Sequence, residues 1–225
     1  MLNLYYGGTF DPVHNGHLAI ARAARDELHT SVNLMPAADP PHRAPPGANA
    51  RQRAHMLDLA VTGEAGLHVD RRELLRAERD PDARSYTIDT LLELRAELGN
   101  AASVALLIGA DSLIGLPTWR DWRRLFELAH FVVAERPGAV IDASQPAELR
   151  AELDGRWTSD SAALVAAPAG RVLRLHQPLH PESASDVRRR IAQAQPWRDC
   201  VPPAVAAYIT DERLYFTAAA ADGSL

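Results

Sequence analysis

The 225-residue sequence contains no lysine; all 24 basic residues are arginine. That absence excludes chemistry that needs an ε-amine: Schiff-base catalysis, a lysyl-adenylate, a phosphate loop of the Walker type. Any bound anion must therefore be held by arginine, histidine or backbone N–H groups. Cysteine is nearly absent too. With Cys200 alone, neither an internal disulfide nor a cysteine-rich zinc site can form, the pattern of a reducing compartment. Basic charge is not in surplus, and a formal net charge of -5 argues against a broad nucleic-acid surface. Long apolar runs are missing as well. The longest, Val104 to Ala110, falls far short of the roughly 20 residues of a membrane span. The first strand shows neither the basic region nor the cleavage site of a secretory signal. The expectation is a cytoplasmic protein with no nucleic-acid or membrane partner.

What remains is an ordinary globular composition, 47% hydrophobic and 24% charged. A chain of this length buries a sizeable core. Short β-type runs occur at Leu2–Tyr6, Ser31–Pro36, Leu67–Asp70, Val104–Ile108, Phe131–Ala134 and Val172–Leu175. Between them, apolar residues recur at helical spacing over His17–Leu28, Arg51–Val61, Thr87–Leu98 and Trp122–Leu128. This alternation predicts an α/β fold, a parallel sheet flanked by helices. Ser185–Ala194 and Pro203–Ile209 predict a small helical portion near the C-terminus. Two long connections break the rhythm, Ala37–Ala50 and Asp142–Gly170, and such segments often serve as lids. One domain is expected over residues 1–216, with the small, polar residues 217–225 as a disordered tail.

The densest chemistry lies in Gly7-Gly8-Thr9-Phe10-Asp11-Pro12-Val13-His14-Asn15-Gly16-His17, between the first strand and the first helix. The glycines turn the backbone sharply and admit a ligand where a Cβ would stand. The helix that follows points free N–H groups at the same space, which makes an anion site. His14 and His17, three apart at a helix start, can direct both imidazoles at phosphate oxygens, with Gly16 keeping the approach open. Taken alone, these features also fit a tight turn followed by capping histidines. Zinc is disfavoured, because no third His or Cys stands nearby and no H-E-x-x-H pattern occurs.

Taken whole, the string resembles the signature of the nucleotidyltransferase superfamily, whose H-x-G-H element reads here His14-Asn15-Gly16-His17. Within that superfamily the chain is similar to the bacterial nicotinate-nucleotide adenylyltransferases, from the first strand to about Tyr215. Four further motifs carry the resemblance. Pro40-Pro41-His42-Arg43 offers cationic side chains to a substrate phosphate, or is a proline-stiffened loop. Ser85-Tyr86-Thr87 opens a helix, where a hydroxyl is first an N-cap candidate and where the family places the acid end of its pyridine substrate. Ile108-Gly109-Ala110-Asp111-Ser112 ends a strand, with Asp111 open to a ribose or to helix capping. Beyond it, Trp119 is a stacking candidate and Trp122, four residues before Phe126, a core candidate. Ser183-Ala184-Ser185-Asp186-Val187-Arg188 resembles a second ATP motif, with Arg188 the arginine aimed at phosphate.

The resemblance implies a Rossmann-like fold and adenylyl transfer from ATP to nicotinate mononucleotide. It implies catalytic roles for His14, His17 and Arg188. The ATP site implied is Gly8, Thr9, Phe10, His14, Gly16, His17, Gly109, Asp111, Ser183, Ser185 and Arg188. The substrate site implied is Thr9, His42, Arg43, Ser85, Thr87 and Trp119. Mg²⁺ is expected as cofactor, held mainly by the ATP phosphates and water, with no protein ligand assigned. The rivals are a related transferase such as pantetheine-phosphate adenylyltransferase, disfavoured by Trp119 and Thr87, and a nucleotide sensor without turnover, disfavoured by the intact histidine pair.

Overall fold

The computed structural model describes residues 1–38, 47–80, 85–135, 145–177, 180 and 182–216. Among these, seven strands form one parallel sheet: β1 (Leu2–Gly8), β2 (Val32–Pro36), β3 (Leu67–Val69), β4 (Ser103–Gly109), β5 (His130–Ala134), β6 (Trp157–Thr158) and β7 (Val172–Arg174). Their spatial order is β3-β2-β1-β4-β5-β7-β6. β4 lies at the centre and is buried from Ser103 to Ile108, which is why its sequence is an unbroken apolar run. Side chains alternate between two cores, as the pleat requires. Leu2, Leu4 and Tyr6 of β1 join one core and Tyr5 the other; Ala105 and Leu107 of β4 join the first, Val104, Leu106 and Ile108 the second.

Helices cover both faces. The first core is closed by α1 (Asn15–Leu28), α2 (Ala50–Val61), α8 (Ala162–Val165), α9 (Ala184–Ala192) and α10 (Pro203–Asp211). The second is closed by α4 (Thr87–Leu98), α5 (Ala110–Ile114), α6 (Trp122–Leu128) and α7 (Ala147–Leu153). Trp122 is buried as expected, with its ring edge-on to Phe126 at 6.5 Å between centroids. This is the Rossmann-like α/β fold anticipated from the sequence.

Several elements escaped the sequence pattern. α3 (Arg72–Arg79) carries only two leucines among charged residues, so its apolar stripe is too thin to register. α5, α8 and β6 are too short to show a period. The first helix begins at Asn15 rather than His17, and the α9 helix begins at Ala184 and ends at Ala192. The expected tail, residues 217–225, lies outside the described residues.

The order of strands decides where ligands can enter. From β1 the chain crosses to β2 on one side, whereas β4, its other neighbour, leads to β5 on the opposite side. Connections that diverge in this way leave a crevice at the carboxyl ends of the two strands.

The amino end of the sheet is tied together by two buried polar side chains. Arg95 donates to the carbonyls of Leu128, Gly99, Ala102 and Pro168 at 2.6–3.3 Å. His130 is fully buried, with Nδ1 accepting from the Arg171 N–H at 3.0 Å and Nε2 facing the Ala167 carbonyl at 2.9 Å. That pairing fixes the neutral ring with its proton on Nε2. Burial lowers the affinity of this imidazole for a second proton. The unfolded chain therefore takes up a proton, around the ordinary histidine value of about 6.5, that the folded chain refuses. Stability should fall as pH drops through that region towards the lower folded-state value. His130→Asn should cost on the order of 1–3 kcal/mol at pH 7.5 through the lost buried partner. Its urea stability should also vary less between pH 7.5 and 5.5 than the parent's; an unchanged pH slope would remove His130 as the source.

Candidate active site

The crevice beyond β1 and β4 contains two adjoining cavities of about 310 and 330 Å³. Gly7, Gly8, Thr9, Asp111 and Ser112 border both, so they are lobes of one cleft. The glycine turn at the end of β1 is what lets the lobes meet. A Cβ on Gly8 would stand 2.9 Å from the Phe10 ring, so glycine here allows that ring to fold back under the loop.

One lobe is lined by Gly8, Thr9, Phe10, Asp11, His14, His17, Gly47, Gly109, Asp111, Ser183, Ser185 and Arg188, among others. Every residue of the implied ATP site is here except Gly16. Gly16 is buried behind His14, where a Cβ would press on the imidazole at 3.1 Å; it makes room for the ring rather than bordering the cavity. His14 is the N-cap residue of α1 and His17 its third helical residue. Their rings stack at 3.7 Å, and Phe10 packs edge-on against His17 at 4.9 Å. The His14 N–H donates to Nδ1 of His17 at 3.2 Å. A neutral His17 therefore carries its proton on Nε2, as a donor.

α9 brings the second motif to the same lobe. Ser183 caps it, its hydroxyl accepting from the Asp186 N–H at 3.1 Å. The carboxylate of Asp186 pairs with Arg189 and Arg190, and those cations hold it below the usual carboxylate range. Arg188 alone of the three arginines lines the cavity. Its guanidinium donates to the Asp11 carbonyl at 2.5 Å and lies 3.5 Å from the Asp11 carboxylate. Two helix N-termini, those of α1 and α9, thus converge on one lobe, and their dipoles favour negative charge there.

The other lobe is lined by Thr9, Met35, Ala37, Glu73, Ser85, Tyr86, Thr87, Ile108, Asp111, Trp119 and Arg120, among others. Trp119 is half-buried after a short 3₁₀ turn and packs against the second core. Arg120 lies over the Tyr86 ring at 5.1 Å. The expected hydroxyl cap of α4 does not form. Its N-cap residue is Tyr86, and no side chain caps it. Ser85 is drawn elsewhere, accepting from the Ala38 N–H at 3.2 Å, while Thr87 is the first residue of the helix and borders the cavity. Asp111 is likewise no cap; α5 starts from Gly109 without a side-chain cap, and the Asp111 carboxylate is exposed where the lobes meet. His42 and Arg43 lie outside the described residues.

Of the described residues of the two long connections, only those of the first border the cleft, through Ala37 and Gly47. Residues 145–170 border neither lobe and instead build α7 on the second core, the edge strand β6, and α8, whose Leu164 carbonyl accepts from the Ser103 hydroxyl of β4, so the described part of that segment is no lid. Among the described residues, no group of three or more His, Cys, Asp or Glu is placed to hold a metal ion.

Two residues that shape the cleft were not singled out in the sequence. Arg53 of α2 is fully buried and donates to the carbonyls of Thr9, Ala38 and Ala48 at 2.6, 2.9 and 3.2 Å. Glu73 of α3 is buried beside the tryptophan lobe, accepting from the Thr90 hydroxyl at 2.9 Å. Burial pushes its carboxyl above the usual range, while hydrogen bonds from Thr90 and Ser85 oppose that rise. The only signal for either is a charged residue at an apolar helical position, which a single sequence renders as surface.

The fold and its two-lobed, glycine-floored crevice define a nucleotide-handling α/β protein of the nucleotidyltransferase class. The cytidylyltransferase-like family model matches residues 5–190. The chain is 61% identical, over 95% of its length and 96% of the relative's, to a protein of Stenotrophomonas maltophilia strain K279a named "Probable nicotinate-nucleotide adenylyltransferase". A protein of the same name from Xylella fastidiosa strain 9a5c is 48% identical over the same shares. The fold is also that of the Plasmodium falciparum nicotinic acid mononucleotide adenylyltransferase complexed with NaAD, with a TM-score of 0.71 at 15% identity over 95% of this chain and 97% of that one. The chain belongs to the nicotinate-nucleotide adenylyltransferases of the cytidylyltransferase-like family.

Arg53 yields a direct test of how the cleft is held. Arg53→Met keeps much of the apolar stem and removes the donors to three loop carbonyls. It should destabilise the fold by about 3 kcal/mol or more and weaken ligands of both lobes together. Arg53→Lys should recover only part, since one ammonium cannot span three carbonyls as a planar fork does. Denaturant titration with paired ligand titrations measures both, and a variant of parental stability would show that the loops hold themselves.

Proposed function

We propose that the protein transfers the adenylyl group of ATP to nicotinate mononucleotide, giving nicotinate adenine dinucleotide and pyrophosphate, a step of NAD biosynthesis. The observation that carries this reading is the shared floor of the two lobes. Two anionic substrates placed one per lobe come together over Gly8, Thr9 and Asp111. The triphosphate belongs in the histidine lobe, with its converging helix N-termini; the pyridine belongs in the tryptophan lobe, against Trp119. The lone Cys200 supports a reducing, cytoplasmic setting.

The chemistry needs no protein nucleophile. A phosphate oxygen of the mononucleotide attacks the α-phosphorus of ATP, that P–O bond forms, and the bond to the leaving pyrophosphate breaks. The protein's part is to align two anions that repel and to stabilise the charge that grows on phosphorus and leaving group. His17 offers Nε2–H, His14 stands stacked beside it, and Arg188 brings a permanent positive charge. His42 and Arg43 are proposed to receive the mononucleotide phosphate. Mg²⁺ fits as an ion carried by the phosphates and water, since the Asp11 carboxylate is occupied by protein donors and, among the described residues, the exposed Asp111 is the one carboxylate at the junction.

Acid-over-amide selection follows from α4. Its first turn meets the cavity without a capping side chain, so a nicotinate carboxylate there is favoured by N–H donors and by the dipole. The amide presents an NH₂ group to the same donors. The deciding assay is pyrophosphate release from Mg-ATP with each acceptor. Nicotinate mononucleotide should be used about 10² or more better in kcat/KM than the nicotinamide form. Phosphopantetheine should not be used at all, and an absence of turnover with every acceptor would favour a nucleotide sensor. His17→Ala should lower kcat by on the order of 10² while the protein stays folded, because a transition-state donor is lost rather than core. Parental turnover in the folded variant would overturn the role given to His17.

A further inference from the structure

Beyond both nucleotide motifs, the carboxyl-terminal segment after α10 reaches Asp11 and Gly47, which line the histidine lobe. Leu214, Tyr215 and Phe216 pack on the first core, which anchors this strap. The Tyr215 hydroxyl donates to Asp11 Oδ1 at 2.7 Å, joining residues 204 apart in the chain. Asp11 is 4% exposed and also accepts from the N–H groups of Gly47 at 2.9 Å and Ala48 at 3.1 Å. The Tyr215 ring fills the space over Gly47, where a Cβ would come within 2.9 Å of it and 3.7 Å of Arg188 Cδ. The ring and the stem of Arg188, the one arginine of α9 that lines the cavity, therefore both face Gly47.

We propose that Tyr215 is a positioning residue of the triphosphate lobe: its hydroxyl occupies the Asp11 carboxylate and thereby keeps the Arg188 guanidinium available to phosphate. The proposal rests on the adenylyl-transfer reading for the identity of the ligand. The physical argument is competition for one carboxylate. Arg188 already contacts the Asp11 carbonyl and stands 3.5 Å from Oδ2, between a close ion pair and a looser one. The phenol and two backbone N–H groups share the negative charge of Asp11, which weakens its hold on the arginine. Without the phenol, that charge turns on Arg188 and draws it from the cavity. Burial pushes the Tyr215 phenol far above its ordinary range, so it remains a donor throughout the working pH range.

The test compares full-length protein, Tyr215→Phe, Arg188→Ala and the double variant, each titrated with α,β-methylene ATP and Mg²⁺ and then assayed for turnover. Tyr215→Phe keeps the ring over Gly47 and removes only the hydroxyl. It should weaken the ATP analogue and raise the KM for ATP by about threefold to tenfold, with the KM for the mononucleotide unchanged. In the Arg188→Ala background the same substitution should have no further effect. Parental ATP affinity in Tyr215→Phe, equal losses for both substrates, or a full additional loss in the double variant overturns the proposal. So does a Tyr215→Phe protein that fails to fold, because the tyrosine would then be structural. Wild-type protein that binds the analogue but adenylates no mononucleotide overturns the function proposed above and leaves the binding comparison valid.

Discussion

Backbone carbonyls left unpaired where strands end must find donors, and at the carboxyl end of this sheet the Arg53 guanidinium supplies them. It gathers Thr9 from the turn after β1, Ala38 from the exit of β2 and Ala48 from the entry to α2. These carbonyls come from the two strand exits and the helix entry that frame both lobes. A planar group whose five donors are spread over three nitrogens reaches three separated carbonyls at once, whereas the three donors of an ammonium all leave one nitrogen. The same solution recurs at the opposite end, where Arg95 pairs four carbonyls around the starts of β4 and β5. A chain with no lysine thus uses arginine as internal bracing as well as for charge.

That bracing suits a site made largely of neutral groups to the highly charged ligands proposed for it. The histidine lobe has Arg188 as a cation, and part of that charge faces Asp11. Its remaining attraction for anions comes from oriented N–H groups at α1 and α9 and from His17 Nε2. Dipoles of this kind favour phosphate only when held still, because a loop that reorients with its ligand loses the advantage of preorganisation. The rigidity supplied by Arg53 below, Phe10 behind His17 and Ser183 at the cap of α9 is therefore part of the electrostatics.

The sequence disclosed the sheet well, because a buried parallel strand must be apolar along its length and Val104–Ile108 is. The residues that gather at the histidine lobe were equally legible, since glycine turns and helix-start histidines are local in the chain. The corrections arose where partners are distant. Ser85 and Thr87 looked like caps by local rule, yet Ser85 turns to Ala38 and the Glu73 network, which leaves α4 uncapped at the cavity. Gly16 looked like a ligand-facing residue, yet it makes room for the His14 ring. Arg53 and Glu73 could not be found at all. A buried charge satisfied by partners from other elements has the same letters as a solvated one.

The tyrosine strap carries this logic to the end of the described chain. Asp11 sits in the signature loop, where one would look for chemistry, but its carboxylate is enclosed by donors from three other segments: Gly47–Ala48, Arg188 and Tyr215. It therefore acts as a joint, closing the first motif, the α2 entry, the second motif and the carboxyl-terminal strap around one charge. A joint of this kind ties the geometry of the histidine lobe to the last described elements of the chain. With α10 packed on the first core, Tyr215 is held against Asp11 in the wall of that lobe. On the role proposed for Tyr215, binding competence and completion of the fold are coupled through a single carboxylate, even though most of the residues proposed to touch ATP lie in the two motifs.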